Sequence, residues 1–261
     1  MSSAAPHPGS DLAPAILLDA LREQGEMLAA TPALALAEPV PAVPGWTVED
    51  VVRHTAEVHR WVRAVLVSSP DTRLSQIPDA DPVPHGPACL DAYRDALDEI
   101  VDAFTSRDLT QPVRTLSGTG TVSWWLRRQV HEVAVHRIDV ADTMRALGGP
   151  SVPALDPAIA VDGVDEWAHV FLPRLARAGR FPSLDGRSIH LHGTDTGHAE
   201  WHLTFTQADV VVTREHRKGD VALRGRAQDL LLAVWRRRPL SRLETIGDEA
   251  IAETMWGAAA L

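Results

Sequence analysis

Between residues 14 and 147 the apolar side chains recur at helical spacing, and beyond the Gly148-Gly149-Pro150 stop signal short stretches alternate instead. A chain whose hydrophobic period changes in this way is expected to build a helical domain first and a mixed α+β domain second, with the boundary near residue 150. The first helix is predicted from Pro14 to Ala30 through Ile16, Leu17, Ala20, Leu21 and Leu28, and the Pro-rich run "TPALALAEPVPAVPG" ends it. The second opens at "WTVEDVV", where Thr47 is placed to cap and Asp50 stands three positions on, a variant of the capping box. A third spans Ala88 to about Arg107, and a fourth runs from about Val122 to Leu147. Four amphipathic helices over residues 1–150 imply a four-helix bundle. The first dozen residues read as frayed.

In residues 151–261, Asp156 to Ala178 reads as one helix interrupted by Pro173. "RSIHLHGT", "AEWHLTFT", "ADVVVTRE" and "DVALRG" carry the alternation and β-branched content of short strands, while "AQDLLLAVWRRR" and "DEAIAETMW" are helical again.

Composition removes several function classes. A net charge of -10 argues against a nucleic-acid binder, which needs basic surface to displace counterions from phosphate. Arg236-Arg237-Arg238 is the one dense basic run and reads as a solvated helix end. No stretch approaches the roughly 18 apolar residues of a spanning helix, and the opening lacks the pattern of an export signal. With Cys89 as its single cysteine the chain has no intrachain disulfide and no cysteine metal cluster, which points to a reducing, cytoplasmic home. Cys89 itself reads as a small apolar residue at a helix start. A monomer and a homodimer are both compatible with the sequence.

The chemistry gathers on two of the helices. Glu132 and His136 stand at i and i+4, which on a helix brings their Cβ atoms within about 5–6 Å and suits two ligands of one ion. At 100° per residue the apolar arc of this helix holds Leu126, Val130, Val133, Ala134, Ile138, Ala141 and Met144, with Glu132 and His136 on its shoulder beside Trp125 and Gln129. His54 lies in line with Val58, Trp61 and Val65 on the second helix, so it too is expected to point inward. Three N/O ligands from two helices would leave the fourth position of a tetrahedral ion open, the mark of a catalytic metal. Spacing alone equally admits a satisfied buried histidine or a surface ion pair. His59 and His131 fall too far round their helices to share that face, and His190, His192, His198 and His202 alternate along predicted strands with nothing to place them near the bundle. Trp61, Trp124 and Trp125 could wall a pocket or be plain core. Arg137 falls inside the apolar arc and needs a partner, an acid such as Asp50 or a carbonyl.

"GWTVEDVVRHTAEVHRW", "RRQVHEVAVHRIDV" and "DVALRGRAQDLLLAVWRRRPLSRLETIGDEA" together resemble the mycothiol-dependent maleylpyruvate isomerase family of actinobacteria over nearly the whole chain. The resemblance implies a DinB-like metal-binding bundle followed by a sterol-carrier-like C-terminal domain. It implies a divalent metal, zinc by preference, on His54, Glu132 and His136, with Arg137 and Asp139 continuing the motif. It further implies mycothiol as the attacking thiol and a small electrophile as substrate, and Trp61, Trp125 and Arg137 are the candidates to hold the thiol. An arginine of the C-terminal domain is implied to assist, with Arg224 and Arg236 as candidates beside Arg214 and Arg226. Isomerisation and S-transfer share the thiolate step, so the ligands do not separate them. The alternative is a noncatalytic metal- or ligand-binding protein of the same fold.

Overall fold

The computed structural model describes residues 10–259. The frayed opening expected for the first dozen residues falls outside that range as far as residue 9. The chain divides into two compact units, Met1–Pro153 and Ala154–Leu261.

The first unit is a bundle of four helices, α1 (Pro14–Ala29), α2 (Val48–Val67), α3 (Ala88–Thr105) and α4 (Val122–Ala146). Both α3 and α4 pack against α1 and α2, so that α4 lies between α1 and α2 with α3 opposite. Leu21, Leu28, Val52, Val62, Ile100, Phe104, Leu126 and Val130 fill the interior, each at most 2% exposed. The start of α2 is fixed by a capping box, in which the Thr47 hydroxyl accepts from the Asp50 backbone N–H and the Thr47 N–H donates to the Asp50 carboxylate at 2.8 Å. Helix α4 departs from the amphipathic expectation. Alongside its apolar arc it buries Arg127, Arg128, Gln129, His131, His136, Arg137 and Asp139, because it is flanked on two sides by neighbouring helices. A short antiparallel hairpin, β1 (Pro112–Thr115) with β2 (Gly118–Thr121), leads into α4 and was absent from the helical reading of this half.

In the second unit, the segment expected as one helix is three pieces: α5 (Pro157–Glu166), a five-residue π-helical turn over Trp167–Phe171, and α6 (Leu172–Arg177). Pro173 has no N–H to continue the ladder, and the widened turn ahead of it relieves the ring's clash with the preceding carbonyls. The sheet is ordered β5-β4-β3-β6-β7, with β3 (Ser188–Gly193), β4 (Glu200–Phe205), β5 (Val210–Thr213), β6 (Val221–Gly225) and β7 (Glu244–Gly247). Pairing is antiparallel except between β3 and β6. Ile189, Leu191, Trp201, Leu203, Val221 and Leu223 share one buried face, against which α7 (Ala227–Val234) packs and on which α5 in turn packs. The opposite face is polar and carries His190, His192, Glu200, His202 and Arg224, as expected of a sheet covered on one side. The unit ends in α8 (Glu249–Ala258).

Among the described residues no helix is long and apolar enough to cross a membrane.

Candidate metal centre

The capped start of α2 and the long central helix α4 bring His54, Glu132 and His136 together. One donor atom from each lies within 4.8 Å of the other two. His54 Nε2 is 3.1 Å and His136 Nε2 is 3.3 Å from the same oxygen, Oε1 of Glu132. The other carboxylate oxygen accepts from Arg128 Nη2 at 2.7 Å, one turn earlier on α4. His136 Nδ1 lies 3.0 Å from Oδ2 of Asp139, which is itself buried. An imidazole whose Nδ1–H is held by a carboxylate presents its Nε2 lone pair, the arrangement that commonly orients metal-bound histidines.

The depth of the three side chains is graded. His136 is 8% exposed, Glu132 17% and His54 37%, so the cluster opens toward solvent on the α2 side. Burial pushes the Glu132 carboxyl up, but the hydrogen bonds from His136 and His54 and the Arg128 charge outweigh it, and the group sits well below the usual carboxylate range. Burial acts to lower His136, and the bonds to Asp139 and Glu132 reverse that and raise it to about 9. Glu132 is therefore an anion, and a cation at Nε2 would take the place of a proton. The donor set of two imidazoles and one carboxylate suits zinc.

Trp46 walls the cluster. Its ring stacks on His136 at 6.1 Å between centroids and meets His54 edge-on at 5.0 Å. The preceding turn holds it there: Gly45 takes φ 88°, a left-handed conformation that glycine adopts without strain, and Val40 N–H donates to the Trp46 carbonyl at 2.8 Å. The tryptophans singled out from the sequence cluster with one another. Trp61 and Trp124 each meet Trp125 edge-to-face, and the Trp125 indole N–H donates to the Arg114 carbonyl at 2.8 Å, anchoring the hairpin. Arg137 is buried as expected, but Asp50 is not its partner, being engaged by the Thr47 cap. The Arg137 guanidinium bonds instead to the Gln24 side-chain carbonyl on α1 and to the Pro153 carbonyl at 3.0 Å.

His59 and His131 are fully buried, and His59 Nδ1 is 2.7 Å from Gln129 Oε1. Cys89 is buried at the start of α3, and burial, aided by the Glu49 charge, pushes its thiol up to about 11. It is no nucleophile at neutral pH. In the second unit Arg224 is exposed and pairs with Glu244 at 3.1 Å, whereas Arg214 bonds Asp165 at 2.7 Å above the Trp201 ring. Arg226 is exposed beside Asp195 at 3.4 Å. Arg236 stacks over Trp256 at 4.7 Å and has φ 59°, the one positive value outside glycine among the described residues. Trp46 and Arg128 were not singled out from the sequence, although Arg128, Glu132 and His136 form an i, i+4, i+8 ladder that the spacing displays.

No curated protein matches the chain in sequence. Two solved structures resemble it in fold, those of the mycothiol-dependent maleylpyruvate isomerase and of a histidine-to-alanine variant of that enzyme. Each is 13% identical and aligns over 90% of this chain and 93% of its own, with a TM-score of 0.57. Residues 17–141 match the mycothiol maleylpyruvate isomerase N-terminal domain, and residues 158–254 match the C-terminal domain of the same family. These two matches span most of the sequence in the order the family has them, and the chain belongs to the mycothiol-dependent maleylpyruvate isomerase family.

Proposed function

We propose that the protein is a metal-dependent enzyme that uses mycothiol as nucleophile on a small electrophile, and that His54, Glu132 and His136 hold the metal, zinc by the chemistry of the donors. The observation that carries this reading is the convergence of two Nε2 atoms on one Glu132 oxygen, with no fourth His, Cys, Asp or Glu gathered beside them among the described residues. Bound there, metal and mycothiol together supply a thiolate at neutral pH, which can add to an activated double bond and leave again in isomerisation, or stay on the product in S-transfer.

The chain's own groups prepare the site. Asp139 fixes the tautomer and direction of His136, and Arg128 holds the second oxygen of Glu132 so that the first faces the histidines. Trp46 covers both imidazoles and limits water on that side. The absence of a reactive thiol in the protein fits a nucleophile that comes from outside, since Cys89 is held neutral. Trp61, Trp125 and Arg137 are retained as part of the proposed thiol-binding region. Of the two arginines proposed to assist, Arg236 has the stronger support: it occupies a left-handed position that glycine would take without strain, a cost that a functional side chain would explain.

The test is incubation of the purified protein with mycothiol and a panel of electrophiles, maleylpyruvate among them, with and without chelator. Metal-dependent isomerisation or thiol consumption that is lost in His54→Ala supports the reading. Tight thiol binding without turnover of any electrophile would replace it with the noncatalytic binding protein.

A further inference from the structure

The polar face of the C-terminal sheet carries a second gathering of metal-ligating side chains, in the unit that does not contain His54. His190 and His192 stand two apart on β3 and so share the face opposite Ile189 and Leu191. Glu200 is the register partner of His192 on β4, and His216 arrives from the segment after β5. His192 Nδ1 lies 2.7 Å and His216 Nδ1 lies 3.0 Å from Glu200 Oε1, while His190 Nε2 meets the other oxygen. The three imidazole rings are 5.1–5.8 Å apart, each pair close to perpendicular. One donor atom from each of the four residues lies within 4.8 Å of the rest.

Ordinary packing does not account for this. The hydrophobic core lies on the other side of the sheet, and one protonated imidazole already balances the charge of a single carboxylate. Three rings directed edge-on at one anion instead present three nitrogens and an oxygen to a common point. Burial pushes the Glu200 carboxyl up and the bonds from His216 and His190 outweigh it, so the group is anionic. His202, the register partner of His190, is not one of the four donors and bonds Thr204 through Nδ1 at 3.3 Å.

We propose that His190, His192, Glu200 and His216 form a second divalent transition-metal site, distinct from the one in the bundle. Three imidazoles and one carboxylate select zinc and its neighbours over magnesium or calcium, which favour all-oxygen sets. Four protein ligands complete a tetrahedral ion and leave no position for substrate, so the site is structural. Its effect is to tie the segment carrying His216, whose side chain is 74% exposed, to the β3–β4 pair.

The test is zinc stoichiometry and affinity by calorimetry on the chelator-stripped full-length protein, with circular dichroism to establish that each variant is folded. Wild type is expected to bind two zinc ions per chain, and His216→Ala and Glu200→Gln to lose one of them while keeping the equivalent that His54→Ala removes. His216 is an exposed side chain outside the strands, so its replacement leaves the sheet intact. Cobalt(II) added to His54→Ala is expected to give the visible bands of a tetrahedral site, and these vanish when His216→Ala is added. A single equivalent abolished by His54→Ala, or no binding at all, overturns the second site. A single equivalent that survives His54→Ala and disappears with His216→Ala upholds it and removes the metal from the bundle instead, so the two proposals fail separately.

Discussion

His136 Nδ1 and Asp139 Oδ2, three residues apart on one helix, are joined by a 3.0 Å hydrogen bond that turns the Nε2 of His136 toward Glu132 and His54. Asp139 holds the Nδ1 of His136, so it acts on the proposed ligand atom Nε2 through the imidazole. Asp139→Asn keeps the size of the side chain but removes the charge that holds the Nδ1 proton. Metal affinity is expected to fall about 10–100-fold, with the protein still folded. Competition with a chromophoric chelator measures this. An unchanged affinity would show that the imidazole needs no such support.

Arg236 stands where a helix end favours glycine. The helix before it ends in a Schellman motif: Arg237 N–H bonds to the Leu232 carbonyl at 2.7 Å and Arg236 N–H to the Ala233 carbonyl at 2.9 Å. The residue at the left-handed position is usually glycine, and here it is an arginine at φ 59°. Arg236→Gly and Arg236→Ala both lose the side chain and its stacking on Trp256, and only glycine relieves the backbone. The glycine variant is expected to be the more stable of the two by about 1 kcal/mol in urea unfolding. If Arg236 assists catalysis, both variants lose turnover equally; wild-type turnover in either would remove that role.

Much of this architecture is readable before any coordinates. The four bundle helices follow from a period of 3.6 sustained over many residues and from local stops, and the Thr47–Asp50 box is written in four consecutive residues. The nearness of Glu132 and His136 follows from i, i+4 geometry alone, whereas the approach of His54 depends on how two helices pack, which no local pattern encodes. The hairpin "PVRT" and "GTGT" escaped because strands of four residues, the second of them half glycine, carry almost no alternation. The same holds for the edge strand β7, "ETIG". The histidines of β3 show their shared face through their spacing. Their convergence on Glu200 depends on the β3–β4 register, and His216 lies outside the strands altogether. Trp46 was hidden for a related reason, since it precedes its helix and is placed by a turn.

The capping box at the start of α2 should be visible in both stability and its pH dependence. Thr47→Ala removes the hydroxyl that accepts from the Asp50 N–H, and the loss is expected to be about 1 kcal/mol. The backbone and side-chain bonds from Thr47 hold the Asp50 carboxyl below its ordinary value. A carboxyl lowered by folding contributes stability that is present above its unfolded value and lost as pH falls through the folded one. The gap between wild type and Thr47→Ala should therefore hold at neutral pH and narrow below the ordinary carboxylate range of about 3.9. Urea unfolding at a series of pH values tests both statements, and a gap that widens in acid would contradict them.

His59 gives a loss of the same sign at higher pH, because its folded value is also depressed. It is fully buried, and burial drives its pKa down to about 4 despite the bond to Gln129 and the nearby Glu132 charge. The unfolded chain takes up a proton near pH 6.5 that the folded one refuses until about 4, so stability falls as pH drops through that window and levels off below it. A shift of this size corresponds to on the order of 3 kcal/mol lost across the window. His59→Gln retains a donor for Gln129 and does not titrate. Compared in chelator-treated protein between pH 7 and about pH 4.5, wild type should lose stability more steeply than the variant. Parallel slopes would mean that the folded ring takes up its proton at the same pH as the unfolded one, as a ring reached by water would.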